Sequence, residues 1–166
     1  MAENGAKIST TELEEIIEKH HQFLMSGGVG GTWQVLEIRG VVTAFYENEI
    51  EPTEGEQAIF ERKNLNNISF EKIELPFSNC CSAFAEGVIF STSNFEKSIF
   101  TDAFLQGADF YNSIFTSVDF SRSDLRNANF ENADLRNCDF ENCDLRGVNF
   151  ENAKMDGASF VGCLLI

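Results

Sequence analysis

A large apolar residue returns at every fifth position over the second half of this 166-residue chain. From residue 90 to residue 165 each multiple of five is Phe, Leu or Met, and the residue two positions earlier is small or β-branched. Residues two apart lie on the same side of an extended segment, so both members of each pair face inward. The gap of three that follows breaks the strand alternation, and the chain must turn there. Five residues therefore form one side of a polygon.

The sequence repeats at 20 residues as well as at five, which predicts four sides per coil. Stacked coils, about 4.8 Å apart, align residues 20 apart into ladders inside the tube. A fourth column is less uniform and contains Phe95, Phe115, Leu135 and Met155. The three uniform ladders, which form the predicted core, are Phe100, Phe120, Phe140 and Phe160; Leu105, Leu125, Leu145 and Leu165; and Phe90, Phe110, Phe130 and Phe150.

The corners of the polygon carry a turn signal in the later coils. The residue two after each large residue is Asn or Gly from residue 127 to residue 162. Both tolerate the positive φ that a type II turn requires. Earlier corners such as Thr92, Lys97, Asp102 and Ser117 lack this preference, so a different turn type is expected there.

The segments ANFEN, ADLRN, CDFEN, CDLRG, VNFEN and AKMDG resemble the pentapeptide-repeat family, with its A-(D/N)-L-x-x consensus. The resemblance implies a right-handed quadrilateral parallel β-helix, so the expected fold class is an all-β solenoid. It is strong over residues 88–166 and weak over 58–87. In the weak part Lys63, Ile68 and Ile73 are large for the inward slot, and Phe84 competes with Ala85 for the interior.

Residues 1–58 are predicted to form a separate N-terminal part, and residues 59–166 the β-helix. Thr11 and Glu14 suit a capping box, and an apolar stripe that includes His20 indicates an amphipathic helix ending at Gly27 and Gly28. A helix this short needs a packing partner, which we expect to be the open first coil. Residues 31–46 suit two short strands split at Gly40, and residues 47–57 an acidic loop.

No catalytic, cofactor or metal site is predicted, and the chain is interpreted as not an enzyme. The glycines of SGGVGGTW lack phosphate-loop spacing and suit a flexible linker. The adjacent His20 and His21 fit no metal motif; one packs and the other is solvated, or both are partly exposed. Five outward carboxylates recur at every side rather than as one pair in a cleft, so we expect them to bond nearby backbone. They are Asp119, Asp124, Asp134, Asp139 and Asp144.

Surface charges are expected to pair between neighbouring faces of the polygon. Arg126 stacks on Arg146, and Glu131 stacks on Glu151, because each pair is 20 residues apart. Short ion pairs between faces of opposite sign would relieve these like-charge columns, and each would contribute little.

Five cysteines, an odd number without framework spacing, suit free thiols in a reducing compartment. Cys138, Cys143 and Cys163 occupy the inward slot, where Cys packs as a small hydrophobe. Cys143 and Cys163 also lie within disulfide range if oxidised. Of the adjacent Cys80 and Cys81, at most one can face inward.

The formal net charge of −15 argues against binding to nucleic acid or to an anionic membrane. No apolar run approaches the roughly 20 residues that span a bilayer. The N-terminus lacks the pattern of a secretory signal. A cytoplasmic protein is therefore expected.

The leading functional interpretation is a non-enzymatic scaffold for an unidentified protein partner. The alternative, implied by acidic rod-shaped members of the family, is a DNA mimic that binds DNA gyrase or another topoisomerase. Residues 59–166 carry only 16 acidic against 9 basic residues, whereas about 26 Å of duplex would carry roughly 15 phosphates. The exposed edge at Leu164, Leu165 and Ile166 predicts a homodimer through the C-terminal coil.

Overall fold

The computed structural model describes four parts of the chain. Helix α1 spans Thr10–Gly27, strand β1 spans Trp33–Ile38 and strand β2 spans Val41–Tyr46. The remaining part is a continuous stack of coils. The described residues are 7–27, 33–38, 41–46 and 58–166.

Helix α1 begins after Ser9, whose Oγ accepts a hydrogen bond from the backbone N–H of Glu12 at 3.1 Å. The predicted capping box at Thr11 and Glu14 is therefore wrong, because Thr11 already lies inside the first turn. Ser9 and Glu12 have the same S/T-x-x-E spacing two residues earlier, and a serine oxygen satisfies the unpaired N–H groups of a first turn equally well.

Strands β1 and β2 form an antiparallel pair, with Trp33 opposite Tyr46 and Ile38 opposite Val41. The interpretation of residues 31–46 as two short strands is confirmed. Gly40 and the acidic segment 47–57 lie outside the described residues.

The coils pair through parallel bridges between residues 20 apart, from Ile59 with Asn79 to Asp144 with Leu164. From Asn79 to Leu164 each outward residue bonds the preceding coil through both of its backbone groups: the Asn79 carbonyl accepts the Phe60 N–H at 2.7 Å, and the Asn79 N–H donates to the Ala58 carbonyl at 2.9 Å. Twenty residues per coil and five per side give four sides. The chain therefore forms the parallel β-helix that the double periodicity predicts.

The interior is made of the residues at multiples of five. All of them from Phe60 to Leu145 are at most 2% exposed. Phe150, Met155 and Phe160 are partly buried against the same core. Leu165 departs from the predicted ladder, because it is 63% exposed and no described coil lies beyond it.

The phenylalanine rings stack along each ladder and meet edge to face across the tube. Phe110 and Phe130 are 4.3 Å apart with planes 5° from parallel, and Phe120 and Phe140 are 5.1 Å apart at 5°. Phe120 and Phe130, from opposite faces, meet at 5.7 Å and 79°. Both geometries are those that aromatic pairs prefer, so the narrow cross-section is filled by rings in favourable contact.

Polar residues in the small inward slot find partners in the backbone. The Ser113 hydroxyl donates to the Phe110 carbonyl at 2.5 Å, and the Cys143 thiol donates to the Phe120 carbonyl at 2.9 Å. The slot accepts Ser and Cys as readily as Ala because a buried hydroxyl or thiol has a carbonyl within reach.

Every fifth residue from Arg62 to Gly162 has a positive φ, between 51° and 76°. The expectation of a different turn type at the earlier corners is therefore wrong. Thr92, Lys97 and Asp102 each have φ 57°, and Ser117 has φ 59°. Hydrogen bonds between coils hold these corners whatever the residue: the N–H of Thr92, for example, donates to the Tyr111 carbonyl at 2.9 Å.

Replacing Thr92 by asparagine is expected to stabilise the protein by about 1 kcal/mol. A β-branched residue in the left-handed region costs roughly 1–2 kcal/mol, whereas asparagine tolerates that region. The measurement is the midpoint of urea unfolding. Thr116→Asn is the matched control, because Thr116 is absent from the positive-φ corners and should change little. Equal midpoints for Thr92→Asn and the wild type would show that the positive φ at Thr92 does not destabilise the protein.

Candidate interaction surfaces

The residue before each large inward residue lies on the outside of the rod, and these outer residues align in columns through the bridges. From residue 59 to residue 114 half of the outer positions are apolar. From residue 119 to residue 159 every outer residue is Asp, Asn, Lys or Ser. The two halves of the rod therefore present different surfaces. The apolar outer residues are Ile59, Phe84, Ile89, Ile99, Phe104 and Ile114, of which Ile99 is buried at 3% exposed.

Phe84 and Phe104 form an aromatic pair on one outer face. Their ring centroids lie 5.0 Å apart and their planes are 1° from parallel. Ala85 occupies the interior and is fully buried, so the predicted competition between Phe84 and Ala85 is resolved with the phenylalanine outside. Phe104 is 38% exposed, which leaves one face of the pair open to solvent.

Polar side chains within two residues of Phe104, or of the bridged Asp124, form hydrogen bonds with one another. Arg122 makes two hydrogen bonds to Asp102, at 2.9 and 2.8 Å. Gln106 donates to Asp124, the residue bridged to Phe104 in the next coil, at 2.5 Å. These polar groups already have hydrogen-bonding partners. Covering the exposed ring would therefore cost less desolvation free energy than covering any other part of this surface.

Aspartate and arginine form pairs within single repeats farther along the rod. The Arg146 guanidinium donates twice to Asp144, at 2.8 and 2.6 Å, and Arg136 does the same to Asp134. Arg146 lowers the pKa of Asp144, and Arg136 lowers that of Asp134, through these hydrogen bonds. The expected pairing between neighbouring faces is therefore wrong for these residues, because a D-x-R spacing brings both groups to one corner.

The outward aspartates also bond the backbone, as predicted. Asp119 accepts the N–H of Ser121 at 2.8 Å, and Asp139 accepts that of Glu141 at 2.8 Å. Through these hydrogen bonds the repeated carboxylates stabilise the backbone at the corners.

The cysteines among the described residues are free thiols. Cys80 is buried and Cys81 is half-buried, so only one of the adjacent pair faces inward. Burial raises the pKa of Cys138 and of Cys143 to about 12. A thiol with such a pKa carries very little thiolate at neutral pH and is a poor nucleophile.

Within the parts of the chain that the structure describes, no three His, Cys, Asp or Glu side chains converge on a position that would hold a metal ion. No described helix has the length and hydropathy to cross a bilayer. His20 is fully buried and His21 half-buried, so the first of the two predicted arrangements, with one histidine packed, fits the structure better. The glycine segment 28–32 lies outside the described residues.

The last coil exposes apolar side chains. Leu164 is 56% exposed, Leu165 63%, and Ile166 fully. The homodimer expected from this edge stays a prediction.

The repeat pattern decides the family. The family model for pentapeptide repeats matches eight copies, over residues 89–127, 105–142 and 123–162. Residues 89–162 belong to the pentapeptide-repeat family. This assignment supports the right-handed β-helix that the resemblance implies. No curated protein matches the sequence.

Solved pentapeptide-repeat structures resemble the chain over part of its length. A protein of the Arabidopsis thaliana thylakoid lumen is 24% identical, with 57% of this chain and 63% of that chain covered, at a TM-score of 0.38. One from the cyanobacterium Cyanothece 51142 is 19% identical over 61% and 66%, at 0.34. QnrB1, a plasmid-mediated fluoroquinolone resistance protein, is 18% identical over 59% and 70%, at 0.35. The chain thus spans less than two thirds of the first two.

Sequence reasoning missed the aromatic pair as a surface feature. The periodic argument sorts residues into inward and outward positions, and it assigned Phe104 no role. The available signal was the change in the outward slot, in which half of the residues are Phe or Ile from 59 to 114 and all are polar from 119 to 159.

Proposed function

We propose that this pentapeptide-repeat protein is a non-enzymatic, cytoplasmic scaffold that binds a protein partner through the outer face that carries Phe84 and Phe104. The observation that carries the proposal is the exposure of this aromatic pair: Phe104 is 38% exposed, and its ring centroid lies 5.0 Å from that of Phe84. The tube is already filled by the inward ladders, so these side chains are not needed for the core.

The chemistry of the aromatic pair favours a protein partner. Phenylalanine and arginine are enriched in the centres of protein interfaces, and lysine and glutamate are depleted there. Arg122, two residues before the residue that is bridged to Phe104, is held by Asp102. A partner that covers the ring would bury apolar area without desolvating an unpaired charge.

The Asp–Arg pairs weigh against the alternative of a topoisomerase-binding DNA mimic. A mimic must present rows of negative charge at phosphate spacing. In this rod the carboxylates of Asp124, Asp134 and Asp144 are each neutralised by an arginine two residues away. A gyrase supercoiling assay tests the alternative, and inhibition at micromolar protein would favour it over the scaffold.

Replacing Phe104 by serine is expected to reduce capture of the partner by about tenfold or more, because an aromatic contact at the centre of an interface is typically worth more than 1 kcal/mol. The protein is immobilised and exposed to lysate of its source cell, and bound proteins are quantified by mass spectrometry. Stability should change by less than about 1 kcal/mol, since the ring is outside the core.

Asn129→Ser is the matched control, because Asn129 also occupies an outward slot but its two bridged neighbours, Asp109 and Asn149, are polar. A protein retained by wild type and Asn129→Ser and lost by Phe104→Ser supports the proposed surface. Equal capture by all three would show that the aromatic pair is not the binding site.

We also propose that helix α1 caps the first coil. Ile8 is 5% exposed, and Leu13, Ile16 and Ile17 pack against the buried core. Lys7 forms a parallel bridge with Asn64, and the Lys63 ammonium donates to the Glu12 carboxylate at 2.6 Å. These contacts cover an edge whose backbone groups would otherwise be open to pairing with another chain. They also give Lys63, too polar for the interior, a partner at the surface.

A further inference from the structure

A buried imidazole connects helix α1 to the first coil. His20 is fully buried, and its Nδ1 accepts a hydrogen bond from the backbone N–H of Ala58 at 2.9 Å. Ala58 is the residue at which the described coils begin. Because Nδ1 accepts, the ring proton is on Nε2 and the imidazole is neutral. The backbone of Pro76, also in the coil, opposes the lowering of the His20 pKa.

We propose that His20 is a pH-dependent latch, and that protonation of its imidazole releases helix α1 and uncovers the first coil. The inference rests on the proposed role of α1 as a cap. A protonated ring carries a hydrogen on both nitrogens, so Nδ1–H would face the N–H of Ala58 and the acceptor would be lost. The charge would also be buried, which costs free energy.

The groups around His20 favour the neutral form. On its own helix His21 disfavours a positive charge on His20, and Glu18 and Lys19 directly precede it in the chain. The coil contributes the Ala58 N–H and the backbone of Pro76, neither of which titrates. The ion pair between Glu12 and Lys63 lies eight residues back, about 12 Å along the helix.

The direction of the pH effect follows from the pKa of His20. Burial, with a further contribution from His21, lowers the pKa from 6.5 to about 4, against the opposing contribution of the Pro76 backbone. A released helix binds the proton more readily than a docked one. Docking is therefore fully favourable above about pH 6.5, weakens as the pH falls towards 4, and weakens no further below that.

Amide hydrogen exchange at pH 7 and pH 5, corrected for the intrinsic exchange rates, tests the latch. In wild type the protection of the Ala58 amide should fall by about 25-fold between the two pH values, as linkage between the two pKa values requires. The Phe130 amide, which donates to Asn149 in mid-rod, should stay protected. His21→Gln is the matched control and should keep the response, whereas His20→Gln should lose it.

The outcomes separate the latch from the cap. If Ala58 is unprotected in wild type at pH 7, the cap does not form, and the latch fails with it. If Ala58 is equally protected at pH 7 and pH 5, the cap stands and the latch is overturned. The imidazole resonance of His20, followed by NMR in the wild type, keeps the test independent of how His20→Gln folds. It should titrate with the loss of Ala58 protection, and titration without that loss would also overturn the latch.

Discussion

Replacing Phe130 by alanine is expected to lower the free energy of unfolding by about 3–5 kcal/mol. The ring is fully buried and stacks between Phe110 at 4.3 Å and Phe150 at 5.5 Å. It also meets Phe120 and Phe140 edge to face, at 5.7 and 5.9 Å. Deleting it leaves a void that rigid neighbours on four sides cannot close. The measurement is equilibrium unfolding in urea followed by circular dichroism.

Phe104→Ala is the matched control for Phe130→Ala, since it removes the same atoms from an outer position that is 38% exposed. It should cost much less than the inner substitution. A loss below about 1 kcal/mol for Phe130→Ala would contradict the interior assignment of the ladder.

Replacing Asn132 by proline is expected to destabilise the protein by about 3 kcal/mol or more. Asn132 has φ 59°, whereas the proline ring holds φ near −65°. The substitution also removes the N–H that donates to the Glu151 carbonyl at 2.9 Å, so the corner loses both its turn geometry and its bond to the next coil. The shift in the thermal unfolding midpoint measures the effect.

Glu131→Pro, one residue earlier, is the matched control and should change stability by about 1 kcal/mol or less. Position 131 is the first central residue of the turn, where proline is favoured. The chain itself places Pro76 at the equivalent position of another corner. The N–H of Glu131 bonds only the side chain of Asn129, at 3.2 Å. Similar losses for the two variants would show that the sign of φ does not govern the corners.

The coil architecture could be predicted because two periods act together over many repeats. A spacing of five assigns the inward residues, and the repeat at 20 sets the number of sides. The turn geometry at Thr92 and Lys97 could not be predicted in the same way. Residue preference is a local property, whereas the positive φ there is imposed by hydrogen bonds from neighbouring coils, and these outweigh a local cost of about 1 kcal/mol.

The candidate surface was harder to predict from the sequence than the core. Burial follows from pattern, but the choice between Phe84 and Ala85 for the interior depends on how much space the tube leaves, and only the packed structure shows it. The contact of His20 with Ala58 was also not predictable, because 38 residues separate them. The helical stripe indicated only that His20 lies on the packed face.

The fixed offset of 20 residues between paired coils limits how such a chain can change length. Removing one five-residue unit after Leu105 would keep every inward residue inward, but would rotate all later coils by a quarter turn relative to the earlier ones. Asn129 would then lie beneath Phe104 in place of Asp124, and the Asp–Arg corners would move to a different side of the rod. Gain or loss of whole coils preserves the pattern of each face, whereas gain or loss of a single repeat rearranges the surface and also breaks the ladders, since Leu125 would replace Phe120 next to Phe100.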